Sequence, residues 1–153
     1  MNIAVYGMTK GQQSPTTAPD WNSKIAPGGA GFNPLQPLAV ALAAGASFIA
    51  RGFSGDPNGI AHLLVEAIRH PGFALVQVLS PCVTYRPEEK AWKQEVHAAG
   101  WEPATDPAEA ARRLFADDGL STGIFYRGRP SPHAAARRPA SRDLTAIESA
   151  FVL

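Results

Sequence analysis

Two apolar runs separated by one helical segment constrain the fold of this chain more than any other feature. Ser47 to Ala50 is predicted to form a short strand, which the chain leaves at Arg51-Gly52. Phe73 to Leu79 is a near-continuous apolar run, typical of a strand that is covered on both faces. Between them, Asp56-Pro57 is a typical helix start, with Asp as N-cap and Pro at the first helical position. This order predicts a right-handed crossover and an α/β fold in which a parallel sheet carries helices on both faces.

The rest of the chain extends this pattern. Ile3 to Tyr6 is predicted as a central strand, and Asn33-Pro34 is predicted to start a helix that Gly45 ends. The helix after Asp56 is expected to bury Ile60, Leu63, Leu64, Ala67 and Ile68, and to stop at Pro71-Gly72. The other predicted elements are a surface helix over Pro87 to Ala99, a helix from Asp106-Pro107 with Ala108, Ala111 and Phe115 on one face, and a strand over Thr122 to Tyr126. Residues 1–127 are thus predicted to be one α/β domain, and residues 128–153 a mobile tail.

Composition excludes several classes of protein. A formal net charge of +1 gives no excess of positive charge that would favour binding of nucleic acid or anionic lipid. The longest apolar run, Pro37 to Ala50, is shorter than the roughly 20 residues of a membrane helix. A single cysteine cannot form an internal disulfide, which fits a reducing compartment. We therefore expect a cytoplasmic protein that binds neither nucleic acid nor membrane.

The segment from Tyr6 to Gln12 is the first candidate site. Its Thr9-Lys10-Gly11 turn directly follows an apolar strand-like run. A Gly-flanked loop exposes backbone N–H groups, and a Lys neutralises phosphate or carboxylate, so the turn suggests an anion site. The spacing of glycines is not that of a Walker motif, and a plain turn with a solvated Lys is the alternative.

The segment from Leu79 to Tyr85 is the second candidate site, because it contains the only cysteine, Cys82. A buried apolar filler is the alternative for a free cysteine. As a ligand of an iron–sulfur cluster Cys82 lacks partners, since such a cluster takes four thiolates. The four histidines show no metal spacing, and Asp117-Asp118 is interpreted as a solvated loop before Gly119.

Several strings occur together in one order along the chain. They are Tyr6-Gly7-Met8-Thr9-Lys10-Gly11-Gln12, Ser14-Pro15-Thr16, Asn33-Pro34-Leu35, Ala41 to Ala46, Phe48 to Gly52, Ala67-Ile68 with His70 to Phe73, Leu79 to Tyr85, and Gly123 to Arg127. In this arrangement the chain resembles the β subunit, the thiamine diphosphate-binding subunit, of 2-oxoacid:ferredoxin oxidoreductases. The resemblance covers most of residues 2–127 and implies the C-terminal portion of a thiamine diphosphate-binding fold.

The resemblance implies an oxidative decarboxylation of a 2-oxo acid. In that family the acyl group passes to coenzyme A, and electrons pass through a [4Fe–4S] cluster to ferredoxin. The implied cofactors are thiamine diphosphate, Mg²⁺ and the cluster, and the implied partners are the α subunit, ferredoxin, coenzyme A and the 2-oxo acid. Thr9-Lys10-Gly11-Gln12 is similar to the branch that uses 2-oxoglutarate or a broad range of 2-oxo acids.

The resemblance also implies roles for individual residues. Cofactor binding is expected from Tyr6, Gly7, Met8, Thr9, Gly11 and Gln12. Lys10 matches a lysine near the substrate or phosphate and is the expected catalytic residue. The Val5 carbonyl matches a backbone ligand of Mg²⁺, and Cys82 matches the last of four cluster cysteines.

Three departures from the family pattern limit these roles. Ile3 stands where a side-chain ligand of Mg²⁺ is expected, and it has no oxygen to offer a hard cation. A Gly-Asp-Gly segment and three further cysteines are absent. We therefore expect an N-terminally truncated subunit that is inactive and poorly soluble alone. The alternatives are a non-catalytic assembly module or inactive remnant of that subunit and, outside the family, an α/β anion-binding domain that uses the Lys10 loop.

Overall fold

The computed structural model describes residues 4–19 and 21–129. Ile3 and nearly all of the predicted tail, residues 130–153, therefore lie outside the described residues. In chain order the strands are β1 (Val5–Tyr6), β2 (Gln12–Gln13), β3 (Phe48–Phe53), β4 (Ala74–Leu79), β5 (His97–Ala98) and β6 (Ser121–Arg127). The helices are α1 (Pro37–Ala43), α2 (Pro57–Arg69), α3 (Trp92–Glu95), α4 (Pro107–Ala116) and a 3₁₀ turn at Pro87–Ala91.

The main sheet has four strands in the order β4-β3-β6-β5. β3 and β4 pair in parallel without a register shift, as the crossover through α2 predicts, and β5 is parallel to β6. β6, however, runs antiparallel to β3, so the sheet is mixed and not wholly parallel.

Helices cover both faces of this sheet, as predicted. On one face, Phe48 and Ala50 of β3 pack against Leu63 of α2. On the opposite face, Ile49 and Phe125 belong to a larger core, which also contains Leu38, Ala41, Ala46, Ala104, Ala110, Leu114 and Tyr126. Alternate residues of β3 therefore feed two separate cores. No helix of residues 4–19 and 21–129 combines the length and the apolar content needed to cross a bilayer.

The two Asp-Pro helix starts are confirmed. Asp56 accepts a hydrogen bond from the Gly59 amide at 3.0 Å, and Asp106 accepts one from the Glu109 amide at 2.9 Å. Each Asp satisfies one of the donors that a helix N-terminus leaves free. Both helices therefore begin where the local sequence predicts.

The predicted start of α1 and the predicted end of β3 are wrong. α1 begins at Pro37 and not at Asn33-Pro34, since a residue before proline avoids helical angles. Gly45 does end this helix, with φ 86°. β3 continues through Arg51 and Gly52 to Phe53, because the Arg51 charge is paired inside the protein.

Four further predictions need correction. β1 pairs with β2 as a small antiparallel hairpin and is not a central strand of the sheet. The predicted surface helix over Pro87 to Ala99 is a 3₁₀ turn, a four-residue helix and a short strand, and it contains the buried Glu89. α4 buries Ala110 and Leu114, while Phe115 is exposed. On α2, likewise, Leu64 and Ile68 are exposed although both were expected on the buried face.

Candidate functional site

The predicted Tyr6–Gln12 segment is the tight loop that joins β1 to β2. The amides of Lys10 and Gly11 donate to the carbonyls of Gly7 and Tyr6 at 3.0 and 3.1 Å. The Thr9 hydroxyl donates to the same Tyr6 carbonyl at 3.1 Å. Lys10 adopts φ 61°, the left-handed conformation that is uncommon for a residue with a Cβ. The loop therefore holds Lys10 in a conformation that its side chain does not favour.

A second turn fixes the base of this loop. The Ser14 hydroxyl donates to the Ala4 carbonyl at 2.9 Å, and the Thr17 hydroxyl donates to that carbonyl as well. The Ser14 amide donates to the Thr17 hydroxyl oxygen at 2.8 Å. Ser14 and Thr17 therefore anchor the residue that precedes β1.

Hydrogen bonds hold the backbone of Cys82 at both its amide and its carbonyl. The Cys82 amide donates to Glu89 Oε2 at 2.8 Å, and the Cys82 carbonyl accepts from the Arg86 amide at 2.7 Å. Glu89 is 2% exposed, and its second oxygen lies 3.2 Å from the Arg86 guanidinium. Burial raises the pKa of Glu89, although the Cys82 amide and Arg86 oppose that shift. The buried Glu89 carboxylate, which was not predicted from the sequence, thus holds the Cys82 backbone in place.

The two predicted site segments meet. A Cβ placed on Gly7 would lie 3.3 Å from Cys82 Sγ, and one placed on Gly11 would lie 3.1 Å from the Tyr85 ring. Both distances are at or inside van der Waals contact, so only glycine lets the segments approach this closely. Cys82 is 9% exposed, at the boundary between the interior and the loop. It is therefore buried, but next to the Lys10 loop and not remote from it.

The remaining side chains of the loop face solvent. Tyr6, Met8, Thr9, Lys10 and Gln12 are all exposed, whereas Val5 is completely buried. Since the Thr9 hydroxyl and the amides of Lys10 and Gly11 donate within the loop, the exposed Lys10 ammonium is the group that this turn offers to an anion. These side chains therefore share one exposed surface, and their role in cofactor binding stays a prediction.

Two of the groups implied by the sequence do not fit this chain alone. Cys82 is the only cysteine, and a [4Fe–4S] cluster takes four thiolates. Among residues 4–19 and 21–129, no three His, Cys, Asp or Glu side chains are grouped as metal ligands. Side-chain oxygens for Mg²⁺ are therefore not assembled by the described part of the chain.

A buried ion pair lies beneath the site, and the sequence analysis missed it. Arg51 pairs with Asp117, and the two side chains are 7% and 0% exposed. Arg51 also donates to Gln77 Oε1 at 3.0 Å and lies over the Phe125 ring at 5.0 Å. Asp117 is therefore a core residue and not part of a solvated loop. The signal that the sequence offers for this pair is Arg51 itself, a charged residue directly after the apolar run Ser47 to Ala50.

A cavity joins this ion pair to the anchored loop. It has a volume of about 290 Å³ and is lined on one side by Ala4 and Thr16. On the other side it is lined by Arg51, Gln77 and Arg86. The base of the Lys10 loop and the buried polar network therefore border the same space.

Comparison with known proteins places this arrangement in a family. Residues 1–78 match the family model described as thiamine pyrophosphate enzyme, C-terminal TPP binding domain. The chain is 34% identical over 126 residues to the 2-oxoacid:ferredoxin oxidoreductase subunit beta of Saccharolobus solfataricus, with 81% of this chain and 41% of the relative covered. It is 41% identical over 81 residues to the 2-oxoglutarate oxidoreductase subunit KorB of Mycobacterium tuberculosis, with 53% and 22% covered.

A solved structure shows the same fold. It is the 2-oxoglutarate:ferredoxin oxidoreductase from Magnetococcus marinus, determined with 2-oxoglutarate, coenzyme A and succinyl-CoA bound. The TM-score is 0.76 at 28% identity, over 100% of this chain and 57% of that chain. The chain thus spans about half the length of the proteins that it resembles. These comparisons confirm the resemblance drawn from the sequence.

Proposed function

This chain belongs to the thiamine pyrophosphate enzymes, through their C-terminal TPP-binding domain, and on that premise we propose that it is part of the β subunit of a 2-oxoacid:ferredoxin oxidoreductase. In this role it contributes one wall of a thiamine diphosphate site. The reaction is the decarboxylation of a 2-oxo acid with transfer of the acyl group to coenzyme A and of electrons to ferredoxin. Activity requires an assembly with the α subunit and with the protein groups that this chain lacks.

One observation carries the proposal. Gly7 of the Lys10 loop lies so close to Cys82 that a Cβ built on Gly7 would be 3.3 Å from the Cys82 sulfur. The resemblance assigns the loop to the organic cofactor and Cys82 to the electron-transfer cluster. Contact between the two segments is what a short electron path between those groups requires.

The loop residues have distinct roles in the proposed site. Met8 and Thr9 would hold the rings of the cofactor, while Tyr6, Gly7, Gly11 and Gln12 would hold its diphosphate. The Val5 carbonyl is proposed as one backbone ligand of Mg²⁺. Thiamine diphosphate, when bound, supplies the carbanion chemistry that decarboxylation needs, and the protein orients it.

Lys10 is proposed to recognise the substrate. Its side chain is exposed at the tip of the loop, and the left-handed backbone at φ 61° sets its direction. An ammonium pairs with the second carboxylate of a dicarboxylic 2-oxo acid, which favours 2-oxoglutarate over pyruvate. The names of the Mycobacterium and Magnetococcus relatives support this choice.

Cys82 is proposed as one thiolate of a [4Fe–4S] cluster whose other ligands come from elsewhere in the assembly. The protein partners of the chain are then ferredoxin and the α subunit. We expect the complex to be in the cytoplasm. Glu89 and Arg86 hold the Cys82 peptide in place for this role.

A non-catalytic assembly module, or an inactive remnant of the subunit, is the second candidate. It is favoured by the single cysteine and by the missing group of metal-ligating side chains among residues 4–19 and 21–129. In this case the chain would keep the surface that contacts the α subunit and would bind no cofactor.

Co-expression with the α-subunit gene and with a β-subunit segment that supplies the further cluster cysteines separates the two candidates. The first predicts a brown complex with cluster absorbance and viologen reduction that depends on 2-oxoglutarate, thiamine diphosphate and coenzyme A. Cys82→Ser should remove the absorbance without preventing assembly, whereas Val83→Ala, at the exposed neighbouring position, should change neither. A colourless, inactive complex with the α subunit would establish the assembly module instead.

A further inference from the structure

The aromatic ring of Tyr85 lies between the two ends of the Lys10 loop. A Cβ built on Gly7 would be 3.9 Å from Cδ2 and 4.0 Å from Cε2 of this ring. A Cβ built on Gly11 would be 3.1 Å from Cδ1 and 3.7 Å from Cε1 of the same ring. The two glycines therefore face opposite edges of one side chain, and Lys10 belongs to the short loop between them.

The tip of this loop does not pack into the protein. Met8 is completely exposed, and the side chains of Thr9 and Lys10 are exposed as well, whereas Gly11 is buried. A loop with few buried contacts at its tip takes its position from the groups that its ends contact. The position of Lys10 is therefore set at the ends of the loop.

Tyr85 is the neighbour that both ends share. Gly7 also approaches Cys82 Sγ, with 3.3 Å from its Cβ position, and Gly11 also approaches Ser23 Cβ, with 3.6 Å. The Tyr85 ring is close to both glycines. A change in this ring therefore moves the whole loop, and not one end of it.

Tyr85 is itself held firmly by the turn that follows β4. Its amide donates to the Cys82 carbonyl at 3.1 Å, and the Cys82 amide donates to the buried Glu89 at 2.8 Å. The Tyr85 side chain is half-buried and has only two rotatable χ angles, so its ring is a stiff support. The loop thus rests on a side chain that the turn after β4 fixes.

The backbone of the loop links Lys10 to this support. The Lys10 amide donates to the Gly7 carbonyl at 3.0 Å, and the Gly11 amide donates to the Tyr6 carbonyl at 3.1 Å. These two hydrogen bonds join the tip to the ends, so Lys10 moves together with the two glycines. Attraction between an ammonium and a carboxylate falls as their distance grows. A displaced loop therefore weakens any ion pair that Lys10 makes.

We infer that Tyr85 is a positioning residue for Lys10. Its ring holds the loop where the Lys10 ammonium meets the second carboxylate of a dicarboxylic 2-oxo acid. This role rests on the proposed function, and in it Tyr85 acts through Lys10 without touching substrate or cofactor. All four contacts come from ring carbons that Phe shares, so the ring and not the hydroxyl is the feature required.

Kinetics of the assembled enzyme provide the first test. The assembly contains the α subunit and the β-subunit segment that supplies the further cluster cysteines. Tyr85→Leu removes the ring and should raise the KM for 2-oxoglutarate about tenfold, while kcat and the KM for coenzyme A stay within about twofold of the natural values. Tyr85→Phe keeps the ring carbons and should behave like the natural chain. Should Tyr85→Leu fail to assemble, Tyr85→Met takes its place.

Amide hydrogen exchange provides a second test that does not depend on turnover. In the same assembly without substrate, Tyr85→Leu should speed exchange at the amides of Lys10 and Gly11 by about tenfold, because the loop opens more often. Exchange in Tyr85→Phe should match the natural chain. The amides of Gly45 and Ala46, which donate to carbonyls at the end of α1, are internal controls and should not change.

Three results would overturn the inference. One is natural exchange at Lys10 and Gly11 in Tyr85→Leu. Another is a fall in kcat with an unchanged KM for 2-oxoglutarate, since Tyr85 would then act on the reaction and not through Lys10. The third is equal impairment of Tyr85→Phe and Tyr85→Leu, which would assign the role to the hydroxyl. An assembly of the natural chain without turnover would contradict the proposed function, and the exchange rates would still decide whether Tyr85 holds the loop.

Discussion

The sulfur of Cys82 lies 3.3 Å from the point at which a Cβ would stand on Gly7. The loop after β4 and the loop between β1 and β2 are therefore in direct contact, although 75 positions of sequence separate these two residues. A contact this close is tighter than most Cβ contacts in proteins, so a larger residue at position 7 must displace the cysteine.

Gly7→Ala should loosen this contact. The added methyl group overpacks the site, and we expect a loss of about 1 kcal/mol in the free energy of unfolding. The reaction of Cys82 with a thiol reagent should become faster. Gly28→Ala is the matched control, because a Cβ at Gly28 meets no atom within 4 Å. Equal thiol reactivity in both variants would contradict the contact.

Asp117→Asn should destabilise the fold strongly. It leaves the Arg51 guanidinium buried without a counter-charge, and breaking such a pair costs about 3–5 kcal/mol. Urea unfolding measures the loss. Asp118→Asn is the control, since that neighbouring side chain is 55% exposed and its contact with His97 is 3.6 Å. It should change stability by less than about 1 kcal/mol. Similar losses for the two variants would mean that Asp117 is solvated after all.

His70 should make stability depend on pH. Burial lowers the pKa of His70 below its ordinary value of 6.5, and its Nε2 lies 2.8 Å from the Ser47 hydroxyl. The unfolded chain therefore binds a proton at a higher pH than the folded protein does. The stability that this group contributes is present above pH 6.5 and is lost as the pH falls through the folded pKa.

His70→Gln should remove this dependence. The amide keeps a hydrogen-bonding partner for Ser47 and cannot be protonated. Thermal melts from pH 7.5 downward should show that the natural protein loses stability below pH 6.5 faster than the variant does. His62→Gln is the control, because His62 is exposed on α2. Parallel pH profiles for natural protein and His70→Gln would contradict the assignment.

Lys10 is expected to combine backbone strain with function. Lys10→Gly relieves the left-handed conformation and should stabilise the fold by about 0.5–1 kcal/mol, measured by urea unfolding. Lys10→Met keeps that conformation and removes only the charge, so stability should be unchanged. In the complex with the α subunit, Lys10→Met should raise the KM for 2-oxoglutarate about tenfold or more. An unchanged KM would mean that Lys10 is a solvated turn residue that does not bind the substrate.

Local signals predicted a large part of this fold. At Asp56-Pro57 and Asp106-Pro107 the Asp side chain accepts a hydrogen bond from an amide three residues further along and so caps α2 or α4. Both predicted helix starts are confirmed. Gly45 ends α1 because its backbone takes φ 86°, which few other residues tolerate. The parallel pairing of β3 and β4 follows from the length and polarity of the segments around α2. In each case the decisive interaction is local or is set by topology.

The elements that were predicted wrongly depend on contacts between residues that are far apart in the sequence. The end of β3 depends on Arg51 meeting Asp117, and the burial of Glu89 depends on the Cys82 amide that it accepts from. The face that α4 buries depends on Phe125 of β6 and on Ala104, which lies outside the helix. None of these partners is visible in the spacing of residues along one segment.

The sequence by itself determined the α/β class, the N-caps of α2 and α4 and the family to which the chain belongs. These follow from short-range chemistry and from strings of residues that stay together along the chain. Only the tertiary structure decided that the two predicted site segments touch, that β6 is antiparallel and that β4 has an open edge. Contacts between residues far apart in the sequence depend on how the helices pack on the two faces of the sheet. A charged side chain is buried only where the fold places a partner of opposite charge beside it.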